Sequence, residues 1–428
     1  MSRWRSRLVS CLLALPLLAW LVPPSSSLAQ SSAFDSSNGQ LPVPTPINAP
    51  SVALPMPSAG EVPVGTPPWP LANGPCPTDA AMPNVPPRGA NPSALPGTSA
   101  APLSSMSGIG MGLGGPGGAA VGGAGLAFNP IVGQLPIVGS YRAADYFNAP
   151  VLNQNAHLGY AQQELSLLTP IWQCSTDEIS ATAHVGVESF NTNAVLLDSQ
   201  QSFPSELWNI ALGGNYRHRF DNGWIGGGGL SVGSQSDRPF DNLNVMSVTA
   251  DGFFRVPEGE HDAWIFSVFL SSNSQVLPFI PIPGIAYFYA PSRSFQALIG
   301  FPFAHLNWNP TEDWSVFVSY ALLTKFRTRV SYRLARQVRL YTAFDFDNQN
   351  YYLANRPNPD DRFFSYYDRL SSGVMVFLGR GAFFDLSGGY VFNRRYFETP
   401  GGFQNHAAFD RVNVAPGAFV AASLQFRF

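Results

Sequence analysis

Charge is scarce in this 428-residue chain. Asp, Glu, Lys and Arg make up 12% of it, about half the usual soluble share. Lysine is nearly absent: Lys325 stands alone and every other basic side chain is Arg. The formal net charge is -3, so no basic surface argues for nucleic acid as a partner. Cysteine is equally thin. Cys11, Cys76 and Cys174 are widely separated. They form neither a metal cluster nor a disulfide framework, and leave room for one Cys76–Cys174 bond. Beyond the first 30 residues there is no strong twenty-residue apolar run and no convincing amphipathic helix. The chain beyond the leader therefore offers no helical membrane span and fits a helical enzyme poorly.

Catalytic signatures are weak as well. None of the histidines falls in a distinctive nucleophile motif such as Gly-x-Ser-x-Gly. His184 shares a polar strand face with Ser180, but such a histidine is more often a hydrogen-bonding side chain than a base. Asp345 and Asp347 share a strand face with Arg339, which points to charge pairing. Asp360 and Asp361 lack the twelve-residue calcium-loop pattern. The expectation is a protein that is not an enzyme, with no metal and no cofactor.

Aromatic residues and glycine are abundant: 32 Phe, 15 Tyr, 9 Trp and 40 Gly, beside 39 Pro. Many aromatics and few charges suit short strands that face an apolar medium. Residues 1–29 read as a secretory signal peptide. Arg3, Arg5 and Arg7 precede an apolar stretch over 8–22, and Ser27-Leu28-Ala29 supplies small residues for cleavage. Residues 30–150 are rich in Pro, Ala and Gly, and are expected to be a disordered arm. Residues 151–428 are expected to form the folded domain. Within 30–150, 141–150 reads as an ordered lead-in to that domain.

From about 158 the chain alternates apolar and polar residues with period two, as half-covered strands do. Four segments are the cleanest. Ile179, Ala181, Ala183, Val185 and Val187 oppose Glu178, Ser180, Thr182, His184 and Glu188. Trp208, Ile210, Leu212 and Tyr216 oppose Asn209, Asn215, Arg217 and Arg219. Phe326, Thr328, Val330, Tyr332 and Leu334 oppose Lys325, Arg327, Arg329, Ser331 and Arg333. Val338, Leu340, Phe344 and Phe346 oppose Arg339, Tyr341, Asp345 and Asp347. Weaker segments, with 294–308 read as one strand, bring the expected number to about 12–14. Backbone groups in lipid must all be paired, and a closed sheet achieves this without helices. The fold class expected is all-β: an antiparallel transmembrane outer-membrane β-barrel behind a disordered arm, located in the cell outer membrane.

The register follows from energetics. Arg facing lipid costs roughly 2–4 kcal/mol near the midplane. The polar faces must therefore turn to the lumen, with Arg217, Arg219, Arg327, Arg329, Arg333, Arg339, Asp345, Asp347, Arg369 and Asp385 as lumen-facing candidates. Trp208, Trp224, Trp264, Trp308 and Trp314 lie near strand ends, where an interfacial aromatic girdle belongs. In the last strand Leu424, Phe426 and Phe428 form the apolar face. A closing strand ending in Phe resembles the assembly signal of bacterial outer-membrane barrels. Counting fourteen strands back from that end puts 348–363 and 394–412 outside the cell. The same count puts 190–206 and 273–283 inside, where long loops are unusual.

Several motifs extend the resemblance to a family. They are 212–219 leading into Asp221-Asn222-Gly223-Trp224; Leu230-Ser-Val-Gly-Ser234 followed by Asp237-Arg-Pro-Phe240; Pro283-Gly-Ile-Ala-Tyr287; Gly300-Phe-Pro-Phe-Ala304; Gly389-Tyr-Val-Phe-Asn-Arg394; and the terminal 424–428. With these, 158–428 resembles the outer-membrane barrel family known as domain of unknown function 6268. The resemblance implies an outer-membrane barrel and carries no catalytic residues. The function expected is a porin-like channel for small polar solutes. The alternatives are a structural outer-membrane anchor with a periplasmic Pro-rich arm, and an outer-membrane lipid hydrolase. Outer-membrane lipids and the barrel-assembly machinery are the expected partners, with small polar solutes as cargo.

Overall fold

The structure, a computed structural model, describes residues 126–127, 129–275, 277–321, 324–379, 381–400 and 408–428. The signal peptide, the arm up to 125, Cys11, Cys76 and His406 lie outside the described residues.

Strands make up nearly all of the described chain. They are β1 (Val138–Pro150), β2 (His157–Gln173), β3 (Asp177–Thr192), β4 (Glu206–Arg219), β5 (Ile225–Ser236), β6 (Met246–Glu258), β7 (Asp262–Ser271), β8 (Ile282–Ser292) and β9 (Phe295–Phe301). There follow β10 (Phe303–Trp308), β11 (Trp314–Ala321), β12 (Lys325–Ala335), β13 (Val338–Tyr351), β14 (Arg362–Gly379), β15 (Ala382–Thr399), β16 (Phe409–Val414) and β17 (Gly417–Arg427). Each pairs antiparallel with its sequence neighbours, except that β16 and β17 both pair with β15, one beyond the other. Those two segments are one stave interrupted at Ala415-Pro416, where Pro cannot donate to the ladder. β17 then pairs with β1, from Val138↔Arg427 to Tyr146↔Phe419, and β1 pairs with β2. The ring is closed with 16 staves.

Two expectations are corrected here. The strand number is 16 rather than 12–14. The segment 294–308 is a hairpin: β9 ends and β10 begins around Pro302, with Leu298 opposite His305 and Phe295 opposite Trp308. The second correction concerns the arm. β1 lies wholly inside the 30–150 stretch expected to be disordered. It is a barrel stave, and 141–150 is part of it rather than a lead-in.

The corrected count also repairs the topology. Connections 174–176, 220–224, 259–261, 293–294, 309–313, 336–337 and 380–381 fall at one end of the barrel, beside the start of β1 and the end of β17. The long segments 193–205, 237–245, 272–275 with 277–281, and 352–361 fall together at the other end, where β15 ends and β16 begins. The turn at Asp221-Asn222-Gly223 is tight because Gly223 takes φ +83°, and its amide donates to the Phe220 carbonyl at 2.9 Å.

The outer surface is apolar. Leu212 (66% exposed), Leu230, Phe266, Val268, Leu370, Leu378 and Leu386 all point away from the lumen without cover. A patch of this kind, running round a closed sheet, is a lipid-facing band. At the short-turn end it is edged by rings. Trp264 packs on Tyr287 with centroids 4.8 Å apart, Trp314 on Tyr332 at 5.1 Å, and Trp224 on Phe254 at 5.4 Å. Trp308 joins this girdle, whereas Trp208 lies toward the opposite end, near the start of β4. Among the described residues no helix is long and apolar enough to cross a membrane.

Candidate functional site

The interior of the barrel is the candidate site, and its walls are unlike one another. One wall, on β12–β14 and β1–β2, carries charge. Strand register places Arg327 opposite Asp345 and Asp345 opposite Arg369. Asp345 is thus held between two guanidinium groups, with Arg369 Nη2 at 3.0 Å and Arg327 on its other oxygen. Arg369 Nη1 also donates to the Tyr146 hydroxyl at 2.9 Å, which ties β14 to β1. In the next row Lys325 lies 3.8 Å from Asp347. On β1 and β2, Arg142 faces Glu164 at 3.9 Å. The Gln162 amide donates to Glu164 at 3.0 Å and to Glu188 at 3.2 Å. The Arg327 and Glu164 side chains are 35% and 32% exposed, so water reaches this wall.

Three further cations complete it. Arg329 lies 4.2 Å over the Tyr341 ring, whose hydroxyl donates to Asp385 at 2.7 Å. Arg339 donates to Ser315 at 3.1 Å. Among the described residues neither Arg329 nor Arg339 has a carboxylate within ion-pair distance. Arg333 pairs with Asp313 and Glu312 at the 309–313 turn.

Asp345 is the keystone of the charged wall. Replacing it with Asn leaves Arg327 and Arg369 uncompensated. Breaking a buried pair costs about 3–5 kcal/mol, and the exposure of Arg327 discounts this to the lower end, about 3 kcal/mol. The expected outcome is a lower urea midpoint for loss of the folded band on unboiled gels. Partial recovery is expected when Arg327→Gln is added to Asp345→Asn. Unchanged stability of the single variant would contradict the geometry.

The long-loop end of the lumen is closed by two seams. In the first, 193–205 folds inward. Phe203 meets Tyr396 at 5.1 Å and Phe363 at 5.6 Å, and Phe190 meets Tyr396 at 5.7 Å. Tyr146 stacks between Tyr160 (4.2 Å) and Phe419 (5.3 Å). The Asp198 and Ser199 amides donate to Asp410 at 2.8 and 2.7 Å, which fastens this loop to β16.

The second seam is made of amides. Ser236 forms a parallel bridge with Tyr352. The Tyr352 amide donates to the Gln235 carbonyl at 2.7 Å, and Asn350 Nδ2 donates to Asn273 Oδ1 at 2.8 Å. Gln275 donates to the Asn348 carbonyl. β5 and β13 are half the ring apart, so these bonds pinch opposite walls together.

The short-turn end holds something else: the chain segment 126–135, lying inside the barrel. Arg217 is 0% exposed and spends every donor there. Its Nε and Nη2 grip Glu178 at 2.8–3.0 Å. Its Nη1 donates to the carbonyls of Leu126 (2.9 Å) and Asn129 (3.1 Å), and Nη2 to that of Ile131 (3.1 Å). Glu178 in turn accepts the Gly133 amide at 3.0 Å, and Gln173 accepts that of Leu135 at 3.0 Å. Ala127 and Val132 settle among Ile225, Phe253, Ala263, Ile265 and Phe288. Gly133 takes φ +81°, and a Cβ there would collide with the Cys174 carbonyl. Cys174 is itself disulfide-bonded, with its partner outside the described residues.

The ten charged residues singled out from the sequence all occupy inward positions of their strands, in different company. Arg327, Asp345, Asp347, Arg369, Arg329, Arg339 and Asp385 form the charged wall. Arg333 sits at its turn, Arg219 stands exposed at the rim, and Arg217 binds the internal segment. Sequence reasoning missed that segment and Arg142 on β1, and it had Tyr146 only as part of a lead-in. Arg217 and Glu178 were visible as polar-face residues of neighbouring strands, but their pairing and the carbonyl partners of Arg217 were not. Leu424 and Phe426 face outward, and the Phe428 backbone exchanges two hydrogen bonds with Ile137, both 3.0 Å. Among the described residues no group of His, Cys, Asp and Glu could hold a metal ion.

Residues 289–427 match the family described as Domain of unknown function (DUF6268). The motifs at 212–240 and 283–287 precede the matched stretch. Among curated proteins, none matches. Solved structures with similar folds include the COG4313 outer membrane channel from Pseudomonas putida F1, at 10% identity and TM-score 0.31, covering 70% of this chain and 98% of that one. A Pseudomonas aeruginosa FadL homologue is similar at 12% identity and TM-score 0.35, covering 75% and 98%. Pseudomonas aeruginosa OccK7 (OpdD) is similar at 9% identity and TM-score 0.32, covering 68% and 98%. The closed sheet and apolar exterior of this chain make it an outer-membrane β-barrel on its own geometry.

Proposed function

We propose that this barrel is a porin-like channel for small polar solutes, with a preference for anions, held shut in the arrangement described. The observation that carries the reading is the hydrated charged wall, in which Arg329 and Arg339 have no carboxylate within ion-pair distance among the described residues. Cations of this kind along a lumen raise the local concentration of anions. Short turns mark the periplasmic end of such barrels, so segment 126–135 would block the periplasmic mouth and the aromatic and amide seams the outer one.

The test is planar-bilayer recording of the refolded 30–428 chain. Since both mouths are shut in the arrangement described, discrete conductance steps with an anion-selective reversal potential are expected once an applied voltage opens them. The Arg329→Gln/Arg339→Gln double variant should lose most of that selectivity while still forming channels. Closure at both ends also favours a second reading, a structural anchor whose arm reaches into the periplasm. Silence across all salts and voltages, in the wild type and after release of 126–135, would decide for the anchor.

A further inference from the structure

Arg255 is the odd member of the lumen. It lies on the inner face of β6 and is only 5% exposed. Its flanking inward neighbours are Ile225 on β5 and Ile265 on β7. Its guanidinium carbon sits 5.3 Å from the centroid of Phe288. Phe253 is the next inward residue of β6, and Ala127 and Val132 of the internal segment close the same apolar cluster. Nη1 is buried without any hydrogen-bond partner, and no ion pair to Arg255 exists among the described residues. Asp251, two inward positions along β6, does not reach it: its own Oδ2 is also without a partner.

A guanidinium held in an apolar nest without an anion is costly. Arg394 and Arg362 also leave nitrogens without partners, but each donates to an oxygen, Arg394 to the Ala415 carbonyl and Arg362 to the Asp360 carbonyl, whereas Arg255 has the Phe288 ring and no oxygen acceptor among the described residues. We propose that Arg255 is the anionic-group receptor of a binding site for an amphipathic carboxylate, a molecule with one carboxyl and an apolar or aromatic body. The carboxylate would accept a forked pair of charge-assisted bonds from the guanidinium. The apolar body would lie against Phe253, Ile265 and Phe288, beneath Val132. A fully hydrated inorganic anion fits the site poorly, because the walls give no hydrogen bonds to replace its water. The proposal goes beyond the channel reading, since equilibrium binding requires no conduction.

The experiment is titration calorimetry on the full chain in lipid nanodiscs, with 4-tert-butylbenzoate as the probe and 4-tert-butylbenzamide as its uncharged counterpart. Saturable binding of the benzoate is expected, at least about 10-fold tighter than the amide, the usual order for a charge-assisted pair. Arg255→Gln should bring the benzoate down to the level of the amide, and Arg255→Lys should restore part of the difference. Equal binding of acid and amide, no saturable binding of either, or full benzoate affinity in Arg255→Gln would each overturn the proposal. If Arg255→Gln fails to fold, the wild-type comparison of acid with amide decides alone. A chain that binds the benzoate yet never conducts keeps the site and loses the channel.

Discussion

A chain starting at Val151 is expected to give no heat-modifiable, trypsin-resistant barrel, whereas a chain starting at Leu126 is expected to give one. The difference is β1. It is the stave between β2 and β17, paired along both edges. Without it the edges of both neighbours face lipid with their amides and carbonyls unpaired, at several kcal/mol for each group. The loss inside is as large. Tyr146 leaves the stack between Tyr160 and Phe419, and Arg369 loses the hydroxyl that receives it. The gap cannot be mended by drawing β2 against β17, because both are antiparallel to β1 and so parallel to each other, with a different hydrogen-bond pattern. Normal insertion of the 151–428 chain into liposomes, with protection equal to that of 126–428, would show that β1 is dispensable and that the ring closes in another way.

That expectation reverses the boundary legible in the sequence, and the reason is physical. β3, β4, β12 and β13 were readable because one face of each meets lipid and the other meets charge. β1 has no such contrast: its outward residues include Tyr141, Ala143, Asp145 and Phe147, and its inward ones Ser140, Arg142, Ala144 and Tyr146. Its position is fixed by two neighbouring ladders, which a single sequence does not display. The β9–β10 hairpin failed differently. Its turn is Phe301-Pro302-Phe303, apolar where hairpin turns usually carry Asn, Asp or Gly. Pro302 was the available signal, since proline cannot donate to the ladder and is disfavoured in the middle of a stave. Missing that turn inverted every loop upstream and made 190–206 and 273–283 seem misplaced. The charged register was readable for the opposite reason: putting Arg217, Arg327 or Arg369 into lipid is so costly that one orientation survives. What those side chains hold was hidden, because their partners are backbone carbonyls and residues far away in sequence.

The Arg217→Met variant is expected to let segment 126–135 go while the barrel stays closed. Arg217 binds three carbonyls of that segment, and Glu178, left without its cation, keeps one amide of it. Removing one partner of a buried ion pair costs about 3–5 kcal/mol. That cost falls on whichever element can leave most cheaply. The staves cannot leave, since each is paired along both edges in a medium that offers no substitute bonds. Segment 126–135 can, because water at the barrel mouth can take over its amides. Hydrogen exchange read by mass spectrometry should therefore show the Gly133 and Leu135 amides exchanging about 100-fold faster, the equivalent of ~3 kcal/mol, with strand amides of β3 and β4 unchanged. Bilayer conductance should rise in parallel under an applied voltage that opens the seams at the other mouth. Adding Glu178→Gln removes the stranded charge and should recover stability but not the hold on the segment, because the three carbonyl acceptors remain without donors. Equal protection of Gly133 in the wild type and in Arg217→Met would mean that Val132 and Ala127, in their apolar pocket, hold the segment by themselves. Faster exchange across β3 and β4 together with the segment would mean that the Arg217–Glu178 pair supports the wall rather than the plug.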